Sequence, residues 1–158
     1  MGYIEQNLMQ GEQIRYHTKL HWIVFVSPIF LIVIGFVIGL AFVILMHSDA
    51  LADLLGIFSS LFFLVGILLG VSRFIAYKSS EFAVTNKRVL IKVGFIRRHS
   101  LELLLQKVEG IGVDQSILGR MLGYGTIIVT GTGGTKEPFK NIENPLEFRK
   151  QVQQSLSQ

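Results

Sequence analysis

Two histidines, His17 and His21, stand four residues apart, the spacing at which two imidazoles share one helical face and can hold a metal ion. A metal site needs three or four ligands with ordered support, and the nearest carboxylate, Glu12, lies outside that turn. The pair therefore reads as interfacial side chains beside lipid head groups. Asp49 and Asp53 are also four apart and would attract a cation, yet acids where a loop enters a helix are favoured by the helix dipole without any ligand. No serine, histidine and acid fall together as a nucleophilic set. With no cysteine there is neither a thiolate nor a Cys-ligated zinc. Gly123-Tyr124-Gly125 and Gly131-Thr132-Gly133-Gly134 are rich in glycine, but a phosphate loop follows a strand and opens a helix, and neither run does so. The expectation is a chain that is not an enzyme, with no cofactor, no metal and no nucleic-acid partner.

The elements that must carry whatever this chain does are dominated by two apolar runs, Trp22 to Met46 and Leu54 to Ser72. Crossing about 30 Å of hydrocarbon takes roughly 20 apolar residues in a helix. Both runs suffice, and the intervening His47 to Asp53 is so short that it returns the chain to the side it left. A secretory signal would place its apolar stretch nearer the start, after a basic region, whereas residues 1–21 are polar and mixed in charge. Arg15 and Lys19 precede the first run, Arg73 and Lys78 follow the second, and the connection has no Lys or Arg. By the positive-inside bias both termini face the cytoplasm. Trp22 and Tyr77 suit the two interfacial boundaries. The expected organisation is a leader over 1–21, a transmembrane hairpin over 22–77 with helices at 22–46 and 54–72, and a cytoplasmic domain over 78–158.

Small residues in the runs predict how the helices pack. Gly35 and Gly39 lie roughly 20 and 26 Å from the cytoplasmic end, and Ser60 and Gly56 roughly 18 and 24 Å, at 1.5 Å per residue. These pairs can meet within one hairpin, where small residues let backbones approach. Gly66 and Gly70 lie shallower with no small partner at their level in the first helix, so they are expected to pack against another subunit. That reading makes the protein a homo-oligomer.

From Lys78 onward the pattern changes to short segments rich in branched or aromatic residues: Glu81 to Thr85, Arg88 to Val93, Phe95 to Ser100, Val108 to Asp114, Gly125 to Thr130 and Lys136 to Lys140. Turn residues separate them, which argues for an antiparallel barrel or sandwich. Asn86 is expected to turn the first hairpin at positive φ. Ser116 to Leu122 reads as a helical turn, and Leu101 to Gln106 fits neither pattern clearly. Asn144-Pro145-Leu146-Glu147 is a capping-box start for a final helix, with Phe148, Val152 and Leu156 on one face. The fold class is α+β, a two-helix transmembrane hairpin followed by a β-barrel or sandwich capped by a C-terminal helix.

Phe82-x-Val84-Thr85-Asn86-Lys87-Arg88-Val89, Gly94-Phe95-Ile96-Arg97, Gln115-Ser116-Ile117-Leu118-Gly119-Arg120, Leu122-Gly123-Tyr124-Gly125-Thr126-Ile127, the Gly-rich tip and Ile142-x-Asn144-Pro145 occur in order. Together with Gly11-Glu12 and His21-Trp22, this series resembles the membrane-anchored bacterial pleckstrin-homology (PH) family, over essentially the whole chain. The resemblance implies a PH-like barrel of seven strands closed by a C-terminal helix, at the cytoplasmic face of a bacterial inner membrane. Eukaryotic PH domains often bind inositol phosphates through basic residues of the first hairpin turn, and Lys87 and Arg88 occupy a comparable turn.

Residues 78–158 hold 12 Lys and Arg against 7 Asp and Glu. Lys87, Arg88, Lys92, Arg97 and Arg98 are thus candidate lipid or anion ligands, although the positive-inside bias gives a similar pattern without a pocket. The leading expectation is a noncatalytic, self-assembling scaffold or protein-interaction module at the membrane, in contact with membrane lipids and with a cytoplasmic or membrane protein partner. The alternatives are a sensor of anionic lipid and, more remotely, a subunit of a transporter or envelope-stress complex.

Overall fold

The computed structural model describes residues 3–44, 49–94 and 98–157. It falls into two compact units, one made of Met1–Ile23 with Ala76–Gln158 and the other of Val24–Ile75. Both are built from contiguous patterns in the sequence.

The helical unit follows from the two apolar runs. After a 3-10 turn at Trp22–Phe25, one helix covers Val26–Ile44, and a second runs over Asp49–Ser79. Two stretches, Trp22–Ile44 and Asp53–Ser79, are long and apolar enough to cross a membrane. Their large side chains point outward, with Phe36 at 60% and Leu68 at 62% exposure. A core helix of a soluble protein hides such residues, so this surface calls for an apolar surrounding.

Within this unit the small residues meet partners different from those the depth count suggested. Gly35 backs onto Ser59 O, Phe62 Cβ and Phe63 N, and Ser59 donates its hydroxyl to Gly35 O at 2.9 Å. Gly39 also faces Ser59, whereas Ser60 is exposed and donates to Ile57 O within its own helix. Gly56 faces the Phe42 ring. Gly66 is buried, and a Cβ there would sit 2.7 Å from Ile32 Cγ1 and 3.3 Å from Pro28 O; Gly70 faces Pro28. For Gly66 the expectation of packing against another subunit is therefore corrected. A glycine needs no small partner when it receives a large side chain, and Ile32 fills that place.

The other unit carries seven strands among the described residues. α1 covers Tyr3–Gln6, β1 Ile14–Thr18, β2 Glu81–Thr85, β3 Arg88–Val93, β4 His99–Leu104, β5 Val108–Asp114, α2 Ile117–Leu122, β6 Tyr124–Gly131, β7 Lys136–Glu143 and α3 Pro145–Leu156. One antiparallel sheet has the order β1-β2-β3-β4 and the other β5-β6-β7. An isolated bridge from Leu20 to Ile142 links the chain beyond β1 to β7. Phe82, Val84, Val89 and Ile91 face Ile127, Val129, Phe139 and Ile142 in the main core. Phe148 and Val152 of α3 enter that core fully buried, and Phe148 meets Tyr16 edge-on at 6.4 Å. The final helix therefore closes the barrel through its apolar face.

The N-terminal segment is the main departure from the sequence reading, which set 1–21 apart as a leader. Its Ile14–Thr18 pairs with β2 over Ile14↔Thr85 to Thr18↔Phe82 and supplies the first of the seven strands. Its Ile4 covers the outer face of the first sheet against Ala83 and Leu90, forming a second small core. Ala83 and Leu90 are buried for that reason, though strand alternation points them away from the barrel interior.

Two local expectations also change. β4 occupies His99–Leu104, so most of the ambiguous stretch is strand, while part of the expected Phe95 to Ser100 segment, residues 95–97, lies outside the described residues. Asn144 adopts φ 48° and makes no side-chain cap, and Glu147 accepts from Gln151 instead of reaching back. Pro145 alone of that capping signal keeps its expected role, at the start of the helix. Leu156 remains 43% exposed.

Candidate functional site

The turn between β2 and β3, where the resemblance placed ligand-binding cations, is organised by Thr85. Its hydroxyl oxygen accepts from Lys87 N at 3.1 Å and Arg88 N at 3.0 Å, closing the turn, and donates to Glu12 Oε1 at 2.7 Å. Asn86 does not sit at positive φ, the two such non-glycine residues being Asn141 and Asn144 among those described. Its amide instead pins the N-terminal segment: Oδ1 accepts from Gln13 N at 2.9 Å and Nδ2 donates to Gly11 O at 3.2 Å.

Arg88 is 6% exposed and Glu12 7%. The guanidinium donates from Nε to Glu12 Oε1 at 2.9 Å and from Nη2 to Glu12 Oε2 at 3.0 Å, a two-pronged pairing that suits a planar cation and a carboxylate. Nη2 also reaches Asn7 O, and Nη1 reaches Glu102 Oε2, both at 2.6 Å. Glu12 Oε2 accepts further from Met9 N at 2.7 Å. Every oxygen and nitrogen in this cluster has a partner, which is what makes a buried ion pair tolerable. Burial pushes the Glu12 carboxyl up, but hydrogen bonds from Arg88, Met9 N and Thr85 outweigh it and hold the group below its ordinary 4.5. The hydrogen bond to Glu12 raises the Arg88 pKa against the opposing effect of burial.

The neighbouring cations turn the same way. Lys87 donates from Nζ to Gln10 O at 2.8 Å, and Lys92 places its ammonium 4.3 Å from the centre of the Tyr3 ring. Glu81 completes the clasp by accepting from Tyr3 N and Ile4 N, each at 3.0 Å. Of the five expected anion ligands, Lys87, Arg88 and Lys92 are thus engaged with the N-terminal segment. Arg98 is exposed at the far end of the β3–β4 connection, and Arg97 lies outside the described residues. Arg88 in particular is not the surface cation the sequence suggested, because its charge is neutralised twice from within the chain.

The histidines are separated by the strand. His17 lies in β1, while His21 is 5% exposed, donates its backbone N to Asn141 O at 2.7 Å and stacks on Tyr124 with ring centres 5.3 Å apart. His21 is thus a packed domain residue rather than a side chain among head groups. His47 lies outside the described residues. Among the described residues no group of three or more His, Cys, Asp or Glu could hold a metal ion.

Sequence reasoning missed Glu12 and Tyr3 as partners of the basic turn. The alternation of Ile14, Tyr16 and Thr18 with polar residues carried a strand signal. Nothing in the residue types alone paired that strand with Glu81–Thr85 across two apolar helices.

A cleft of about 510 Å³ opens beside the end of β4, lined by Leu104, Lys87, Gln106 and Leu156. Among the described residues β4 is an edge strand, paired only with β3 in its sheet. Its unpaired backbone groups are able to accept another strand.

Comparison with known proteins finds the family model for the bacterial PH domain over residues 20–156. No curated protein and no solved structure matches the chain. The matched span leaves out β1 and the clasp partners Tyr3 and Glu12, which lie before residue 20. With the matched residues covering both apolar helices, both sheets and the closing helix, the chain belongs to the bacterial PH domain family.

Proposed function

We propose that this chain is a two-pass membrane protein that holds a noncatalytic PH-like domain at the cytoplasmic face of the membrane as a protein-docking module. The observation that carries the reading is the clasp: Lys87, Arg88 and Lys92, the cations placed to read an anionic head group, are engaged by Gln10, Glu12 and Tyr3 of the same chain. A head group would have to displace a buried, fully partnered ion pair to use Arg88, and the contacts to Gln10 O and the Tyr3 ring to use Lys87 and Lys92. The anchor already supplies membrane location, so lipid affinity is not needed to recruit the domain. Orientation follows from Arg15 and Lys19 before the first apolar helix and Arg73 and Lys78 near the end of the second, with no Lys or Arg between His47 and Asp53. A surface open to a partner is the β4 edge with its adjoining cleft.

The test places a photo-crosslinking residue at Ser100 on β4, in the full chain within native membranes. Discrete protein adducts at Ser100, absent when the crosslinker stands at Thr132 on the opposite sheet's tip, are the expected result. Lipid adducts alone at Ser100 would overturn the reading. A ladder of self-adducts would identify the partner as a second copy.

A further inference from the structure

The six-residue α2 of the domain displays its apolar side chains in the wrong direction for a globular protein. Ile117 is 80% exposed, Leu118 63%, Met121 77% and Leu122 43%. At 100° per residue these four share one arc, while the residue turned inward is Gly119, buried against Tyr124 O. The turn is fixed in this pose. Ser116 caps it by accepting from Gly119 N, Gly123 ends it in the left-handed region at φ 77°, and a Cβ at Gly119 would lie 2.6 Å from Tyr124 O. A capped turn that buries a glycine and shows four large apolar groups is built to present them, not to hide them.

The location says what covers them. Tyr124, directly after the turn, stacks on His21, and His21 stands 5.3 Å from the Trp22 ring at the point where the chain leaves the domain for its first apolar helix. Trp22 is 53% exposed, as suits an amphipathic ring at a membrane boundary. Leu146, 50% exposed, lies across a shallow cleft shared with Arg120, so an apolar surface with a flanking cation continues at this end of the domain. Side chains of this type settle between head groups and acyl chains, with cations toward the anionic surface.

We propose that Ile117, Leu118, Met121 and Leu122 form a membrane-inserting knob that dips into the interface of the same bilayer the chain's apolar helices cross, giving the domain a third point of attachment. It rests on the reading of those helices as membrane-spanning. The chain has no cysteine, so single labels can be placed cleanly. The full chain carrying Met121→Cys, with Leu118→Cys as a second site on the arc and Thr132→Cys as control, is labelled with an environment-sensitive dye. Each labelled protein is reconstituted into liposomes containing a lipid nitroxide near the head groups. Emission at 121 and 118 is expected to shift to the blue and to be quenched severalfold more than at 132. Dyes at 121 and 118 as wet and unquenched as at 132 would overturn the knob. So would shielding that ignores the nitroxide and vanishes when the protein is diluted in lipid, which marks a second copy as the occupant. Protein that fails to float with the liposomes would overturn the spanning reading itself, an outcome distinct from either.

Discussion

Glu12 and Arg88, 76 residues apart in sequence, meet in a two-pronged ion pair with Nε to Oε1 at 2.9 Å and Nη2 to Oε2 at 3.0 Å. The two apolar helices lie between them in the chain, so this contact fastens the N-terminal segment to the domain that follows the hairpin. Removing one partner strands a buried charge on the other. Glu12→Ala is expected to destabilise the domain by about 3–5 kcal/mol, read by thermal or denaturant unfolding of the full chain in detergent. The double variant Glu12→Leu with Arg88→Met should recover much of that loss, since an apolar pair of similar volume carries no desolvation cost.

The same pair sets a pH dependence. Glu12 has its carboxyl pKa lowered in the folded state relative to its ordinary 4.5, so the unfolded segment binds the proton more readily than the folded one. Its stabilising contribution is then fully present above 4.5 and is lost as pH falls through the lower folded value. Hydrogen exchange at the β1 amides should stay slow above that range and quicken below it. Glu12→Gln should flatten this acid transition, and an equally steep transition in that variant would place its origin elsewhere.

Gly66 and Gly70 are expected to respond differently although they share a helix face. A Cβ at Gly66 meets Ile32 Cγ1 at 2.7 Å and Ile32 N at 3.2 Å, while one at Gly70 meets only Pro28 Cβ at 3.8 Å. Gly66→Ala should cost about 1–3 kcal/mol through overpacking. Gly70→Ala should fall within about 0.5 kcal/mol of wild type. Thermal unfolding of the two variants in one detergent checks the ranking, and equal losses would contradict this packing of the hairpin.

Gly119→Ala should loosen the apolar turn after β5, because its Cβ would press on Tyr124 O, a backbone atom that cannot swing aside. Ser116→Ala removes the cap and should cost about 1 kcal/mol. Faster hydrogen exchange over 117–122, with β2 and β3 unchanged, is the expected signature of both.

Much of this fold could be read from residue order. The apolar runs, the strand pattern from Glu81 and the Phe148–Val152 face of the last helix all rest on local periodicity, which survives without knowledge of partners. The resemblance added the barrel as a whole. The β1 strand was missed because its partner lies beyond both helices, 64 residues on at Thr18↔Phe82 and 66 at His17↔Ala83. The basic turn was misjudged for the same reason: Arg88 reads as a surface cation until the carboxylate that buries it is brought alongside. Depth counting set Gly35 level with Ser60, one residue from the Ser59 it meets, a 100° error in rotation that distance along an axis cannot detect, and it set Gly39 level with Gly56, which faces Phe42 instead.

The β2–β3 cations are expected to serve the chain's own N-terminal segment and not a bound anion. The most direct measurement titrates the full chain, in nanodiscs of neutral lipid, with a soluble inositol phosphate while following heat or chemical-shift changes. No saturable binding to the wild-type chain is the expected result. Saturable binding that is abolished by Lys87→Glu would contradict it.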